Sequence, residues 1–136
     1  MYYLFHFFGL TIKRKMKTHK ELDVWKDSIE FVVEIYEVTK GFPREETYGI
    51  ISQLRRAAVS VPANISEGAA RGYTKEFVRF LRISQGSLSE VETLLYISLM
   101  LNYLDENTEK SIQGRIHKTN AQLCGLIRAI TNNPKN

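Results

Sequence analysis

The chain holds a single cysteine, Cys124, in 136 residues. One thiol excludes an internal disulfide framework and any zinc site built from several cysteines. Three prolines and eight glycines are too few for a loop-rich or all-β protein. Histidine is sparse: His6, His19 and His117 lie far apart, so no His-x-x-His or Glu-x-x-His pair exists. The di-iron bundle pattern, which needs Glu-x-x-His on facing helices, is therefore absent. A Gly-x-Ser-x-Gly nucleophile turn and a Gly-x-x-x-x-Gly-Lys phosphate loop are missing too. These absences remove the usual catalytic constellations, so an enzyme, a cofactor and a bound metal are not expected. Cys124 reads as a small buried hydrophobe, and Glu67, flanked by Ser66 and Gly68, as a structural acceptor or ion-pair partner.

What is present is ordinary in amount and unusual in arrangement. Hydrophobic residues make up 43% and charged residues 25%, the balance of one globular domain. The net charge is +4, but residues 1–15 supply +3 of it through Lys13, Arg14 and Lys15. The rest is sorted into blocks. Residues 16–54 sum to −3, 55–82 to +4, 83–109 to −5 with no base, and 110–136 to +5 with no acid. Residues 2–12 are largely apolar and precede the Lys-Arg-Lys run. An export signal has the opposite order, and about 11 residues are half of a membrane-spanning helix. The expectation is an N-terminal extension over 1–15 without fixed structure, a natural restart at Met16, a domain over 16–136, no membrane partner and a cytoplasmic setting.

The body shows no sustained period-two alternation, so strands are not expected. Four helical segments are. The first spans roughly 21–40 and stops at Gly41-Phe42-Pro43. At about 100° per residue it carries two apolar stripes. One is Leu22, Trp25, Ile29, Val33 and Tyr36; the other is Val24, Phe31, Ile35 and Val38. An outer helix of a lone bundle needs one stripe, so two ask for a second burial surface, most simply another subunit. Val24, Phe31, Ile35 and Val38 are the candidate oligomer interface, although the pattern itself does not choose between the stripes.

The second segment runs from about 45–48 to Arg71-Gly72, with Ile51, Leu54, Ala58, Val61 and Ile65 on one face. Pro62 inside it predicts a kink, and Ala57, Ala58, Ala63 and Gly68 permit close helix approach. The third, from Thr74 to about 102, has Phe77, Leu81, Ser84, Leu88, Val91, Leu95 and Ser98 in strict 4, 3 spacing, a coiled-coil-like seam. The fourth begins near 105–107 and repeats Ile112, Ile116, Thr119, Leu123, Leu126 and Ile130. Four such helices with short connections predict an all-α, antiparallel up-down-up-down bundle.

One constellation carries possible chemistry. Arg71, Lys75, Arg79 and Arg82 fall within about 80° of one helix face, and Arg55 and Arg56 precede them. Guanidinium groups in a row suit phosphates, to which they donate bidentate hydrogen bonds while displacing counterions. With little aromatic interleaving, contacts would go to backbone and shape. A solvated face and pairing with the acidic sector of the first helix in a neighbouring subunit are the competing readings.

Several runs resemble a known family. They are Leu22-Asp23-Val24-Trp25, Gly41-Phe42-Pro43, Gln53-Leu54-Arg55-Arg56-Ala57, Ser60-Val61-Pro62-Ala63-Asn64-Ile65-Ser66-Glu67-Gly68, and Phe77 to Leu81. Together they resemble the bacterial four-helix-bundle proteins encoded by intervening sequences of 23S ribosomal RNA genes, over about residues 17–130. The resemblance implies a homopentameric ring. It also links the chain to the accessory variability determinant proteins of diversity-generating retroelements, basic pentamers that bind nucleic acid and a reverse transcriptase. The role of the intervening-sequence members is unsettled. The functional expectation is a non-enzymatic homo-oligomer binding RNA or DNA backbone through Arg/Lys faces. The alternative is an adaptor for a partner protein.

Overall fold

The computed structural model describes residues 2–7, 10–15 and 18–132, and its elements follow the chain in order. Strands β1 (Tyr2–Phe7) and β2 (Leu10–Lys15) pair antiparallel, with Tyr2 opposite Lys15 and Phe7 opposite Leu10. Four α-helices follow among the described residues: α1 (Asp23–Thr39), α2 (Ile50–Ala70), α3 (Thr74–Met100) and α4 (Glu106–Asn132). The four-helix body matches expectation. The hairpin precedes that body. β1 is rich in aromatic residues, which suit a strand, and β2 runs from Leu10-Thr11-Ile12 into Lys13-Arg14-Lys15. The restart expected at Met16 lies outside the described residues.

The helices start and stop where local chemistry allows. Thr39 closes α1: its buried hydroxyl donates to the Ile35 carbonyl at 2.7 Å. The Glu46 carboxylate accepts from the Ile50 N–H at 3.1 Å and so caps α2 from outside. The Tyr103 hydroxyl donates to the same carboxylate at 3.1 Å, and the Tyr103 ring sits 5.5 Å from that of Phe42. That contact joins the α1–α2 and α3–α4 connections at one end of the bundle. Burial, then the Glu46 hydrogen bond, push the Tyr103 hydroxyl above its ordinary pKa. Gly72 closes the α2–α3 turn at φ +77°, a conformation that favours glycine. Asp105 accepts from the Thr108 N–H at 2.7 Å and caps α4.

The core is one apolar cluster filled from all four helices. Phe31, Ile35, Leu54, Ile65, Phe77, Leu81, Leu95, Ile112 and Leu123 are fully enclosed. The expected seam of α3 is buried throughout. On α4 the seam is Ile112, Ile116, Thr119, Leu123, Ile127 and Ile130, with Leu126 only partly covered. A strict 3.5-residue repeat drifts around a straight helix of 3.6 residues per turn, so the seam slips by one position.

The tightest packing joins α2 and α3. A side chain on Gly68 would put a Cβ 2.7 Å from the Phe80 Cβ, so glycine sets that approach. The Ser84 hydroxyl donates to the Val61 carbonyl at 2.9 Å, and the Ser60 and Ser87 hydroxyls lie 2.7 Å apart. Small polar residues thus satisfy one another at the closest approach. α2 continues as one helix across buried Pro62.

The structure corrects the expected oligomer interface. Val24, Phe31 and Ile35 are buried in the chain's own core, and Val38 packs against it. Those side chains are consumed in folding the subunit. The other stripe is left outside only in part: Leu22 and Trp25 pack on the core, while Val33 is 56% exposed and Ile29 and Tyr36 are exposed beside it. Periodicity shows that two stripes exist. Which one meets α2, α3 and α4 depends on how α1 is rotated in the bundle.

Candidate nucleic-acid interface

The six basic candidates do not form one site. Arg55 and Arg56 lie in the first two turns of α2 and Arg71 just past its end. At 1.5 Å per residue, that separates them by about 22–24 Å along the helix. Arg55 is also occupied. Its Nε donates to Thr39 Oγ1 at 2.9 Å, a terminal nitrogen reaches the Tyr36 carbonyl at 3.4 Å, and the guanidinium lies 4.5 Å over the Tyr36 ring. It acts as a cation at the C-terminus of α1, where the helix dipole and free carbonyls favour positive charge. Arg56 is exposed and has no partner among the described residues, but it stands alone.

The remaining four do converge, where α2 turns into α3. Arg71 and Arg79 approach the same buried ring: their guanidinium carbons lie 5.2 and 4.6 Å from the Phe80 centroid. Arg71 pairs with Glu67 at 3.1 Å. Arg79 holds Glu76 through two nitrogens, at 3.1 and 3.3 Å. The Glu76 carboxyl sits below its ordinary pKa, first through the Arg79 hydrogen bond and then through the charges of Arg79, Arg71 and Lys75. Lys75 and Arg82 are exposed and form no salt bridge among the described residues. The result is a row of four cations with two carboxylates beside it. Exposed pairs of this kind are worth about 0–1 kcal/mol, weak enough for a phosphate to displace them. The ring beneath holds two of the four heads by cation–π attraction.

The acidic sector of α1 is engaged inside the subunit, by α4. Arg115 Nε lies 2.9 Å from Glu34 Oε2, an ion-pair contact outside hydrogen-bond angles, and its Nη2 is 3.7 Å from Glu30. Lys118 is 3.6 Å from Asp27, whose carboxylate also accepts from Gln122 at 2.7 Å. Arg115 and Lys118 therefore close the α1–α4 seam. Sequence reasoning missed this seam, yet its signal was visible: an acid-free α4 segment and an acid-rich α1 face must meet somewhere. The small cleft among Asp27, Glu30, Arg115, Lys118 and Thr119 has a volume of about 30 Å³, room for a water or two. Cys124 is half-buried, and Gln85 Nε2 lies 3.2 Å from its sulfur. Among the described residues no group of three or more His, Cys, Asp or Glu side chains forms a metal cluster, and no helix is long and apolar enough to cross a membrane.

Comparison with known proteins agrees with this architecture. No curated protein matches the chain. A solved structure from Bacteroides thetaiotaomicron, a protein of unknown function from the S23 ribosomal protein family, superposes with a TM-score of 0.72 at 25% identity. The match covers 77% of this chain and 95% of that one. The family model for the 23S rRNA-intervening sequence protein matches residues 20–125, which span the helical body from before α1 into α4 and leave the hairpin outside. The chain therefore belongs to the 23S rRNA-intervening sequence protein family.

Proposed function

We propose that the chain is a non-enzymatic, cytoplasmic subunit of a homo-oligomeric ring that binds the phosphate backbone of RNA or DNA. The observation that carries the nucleic-acid reading is the row at the α2–α3 end. Lys75, Arg79 and Arg82 lie on one face of α3 with Arg71 beside them at the end of α2, and neither Lys75 nor Arg82 forms a salt bridge among the described residues. A single copy offers few phosphate contacts; a ring repeats the row and raises the local field. Five copies is the number the family resemblance implies. A bend at Pro62 that tapers the subunit for ring closure is part of the same reading.

The test is fluorescence anisotropy with labelled RNA and DNA duplexes over a salt series, comparing the unaltered chain with Lys75→Glu/Arg82→Glu. Affinity of the unaltered chain should fall steeply with salt, and the double variant should lose binding at an unchanged oligomer mass. Equal binding by the double variant overturns the assignment of the row. Absence of any salt-dependent binding overturns the nucleic-acid reading and favours the adaptor role.

A further inference from the structure

The cation row at the α2–α3 end holds a residue that neither the fold nor the phosphate contacts use. Tyr73 follows Gly72 in the turn and is 69% exposed. It stands two residues from Arg71 and two from Lys75, so its Cα lies within about 7 Å of each of theirs. It occupies the N-cap of α3. Serine, threonine, aspartate and asparagine are preferred there because their side chains accept from the helix. The Tyr73 side chain makes no such bond. Only its backbone serves the helix, the carbonyl accepting from the Phe77 N–H at 2.9 Å. The turn also leaves the ring room. A Cβ added at Gly72 would meet nothing within 4 Å.

An exposed ring among cations suits a ligand that offers a flat base and phosphates together. We propose that Tyr73 is a stacking platform for an unpaired base, so that the site takes single-stranded nucleic acid in preference to duplex. This rests on the phosphate reading above and names its ligand class. An aromatic face stacks on any base, while the neighbouring cations hold the phosphates that flank it. A duplex offers the same phosphates but keeps its bases stacked on one another, which leaves the ring nothing to cover. Charge distinguishes this ring from the other bare ones. Tyr48 is 97% exposed at the far end of α2, but Glu45 and Glu46 outweigh Arg44 beside it. Around Tyr73 the Glu67 and Glu76 carboxylates are taken up by Arg71 and Arg79, and Lys75 and Arg82 form no salt bridge among the described residues. A phosphate is drawn to the first setting less than to the second.

The test is fluorescence anisotropy with the full chain and three labelled ligands: a short single strand, an abasic strand of the same length, and the duplex. The variants are Tyr73→Ala, Tyr73→Phe and Tyr48→Ala, with folding checked by circular dichroism. The unaltered chain should prefer the base-bearing single strand. Tyr73→Ala should bind it about 5- to 150-fold more weakly, the worth of one stacked base, with the same salt dependence because no phosphate contact is lost. Tyr73→Phe keeps the ring and should bind like the unaltered chain, as should Tyr48→Ala. The abasic strand should bind the unaltered chain and Tyr73→Ala alike. Equal affinity of Tyr73→Ala and the unaltered chain for the base-bearing strand overturns the platform and, where salt dependence persists, leaves the phosphate reading standing. Duplex bound at least as tightly as single strand overturns it as well. No salt-dependent binding to any of the three ligands overturns both readings.

Discussion

Gly68→Ala tests whether the approach of α2 to α3 is set by one missing methyl group. The new Cβ would lie 2.7 Å from the Phe80 Cβ, 3.0 Å from Phe77 Cδ2 and 3.3 Å from the Phe77 carbonyl oxygen. Carbon atoms prefer about 3.5–4.0 Å, so the first contact is short by roughly 1 Å. The obstructing atom is a Cβ fixed to the α3 backbone, which no rotamer change moves. Relief requires shifting one helix, and the shift stretches the Ser84–Val61 and Ser60–Ser87 hydrogen bonds close by. Alanine is favoured over glycine inside a helix by about 1 kcal/mol. Overpacking a core costs about 1–3 kcal/mol, and each loosened hydrogen bond about 1 kcal/mol. The balance is a loss of about 2–4 kcal/mol. Urea unfolding at fixed protein concentration, which an oligomer requires, should show a lower midpoint at constant slope. Gly114→Ala is the control: its Cβ meets nothing within 4 Å, and it should stabilise by up to about 1 kcal/mol. If Gly68→Ala is as stable as Gly114→Ala, the close approach at Gly68 is not what spaces the two helices.

Two further outcomes follow from named contacts. Arg55→Ala should lower stability by about 1 kcal/mol, through loss of the Thr39 and Tyr36 contacts, and should leave nucleic-acid affinity unchanged; weakened binding at full stability would return Arg55 to the interface. Asp105, exposed at the start of α4, sits below its ordinary value of 3.8 because it accepts from the Thr108 N–H. Its folded pKa is below its unfolded one, so its contribution is complete above the unfolded value and lost as pH falls through the folded one. An acid titration of stability should therefore flatten in Asp105→Asn over the range below pH 3.8, and an identical acid limb in both proteins would show that the cap does not titrate.

Much of the fold was legible because apolar spacing and punctuation are local. Gly41-Phe42-Pro43 and Arg71-Gly72 stop helices in any context, and the 4, 3 repeat of α3 predicts its buried face. The hairpin was not legible, since the aromatic run of β1 has no period to read and half of β2 is basic. The site was half legible. A helical wheel places Arg71, Lys75, Arg79 and Arg82 on one face; in the structure Arg71 ends α2 instead, and reaches the Phe80 ring that Arg79 also meets. The wheel cannot reveal that Arg55 reaches back to the end of α1, because that contact spans 16 residues and two helices. Nor can it show Phe80 beneath two guanidinium groups, because a phenylalanine between two arginines has no signature of its own.

Taken alone, the sequence determined four helices, their order, their amphipathic seams and the sorting of charge into blocks. These are properties of short windows, where neighbours in the chain are neighbours in space. Only the tertiary structure decided the rotation of α1, which spends Val24, Phe31 and Ile35 on the core and leaves Ile29, Val33 and Tyr36 outside. It also decided which cations are already paired: Arg115 and Lys118 with α1, Arg55 with the end of that helix, while Lys75 and Arg82 form no salt bridge among the described residues. The physical reason is the same in both cases. A helix with two apolar stripes, or a chain with several basic rows, has more than one way to satisfy itself locally, and the packing of distant segments selects one.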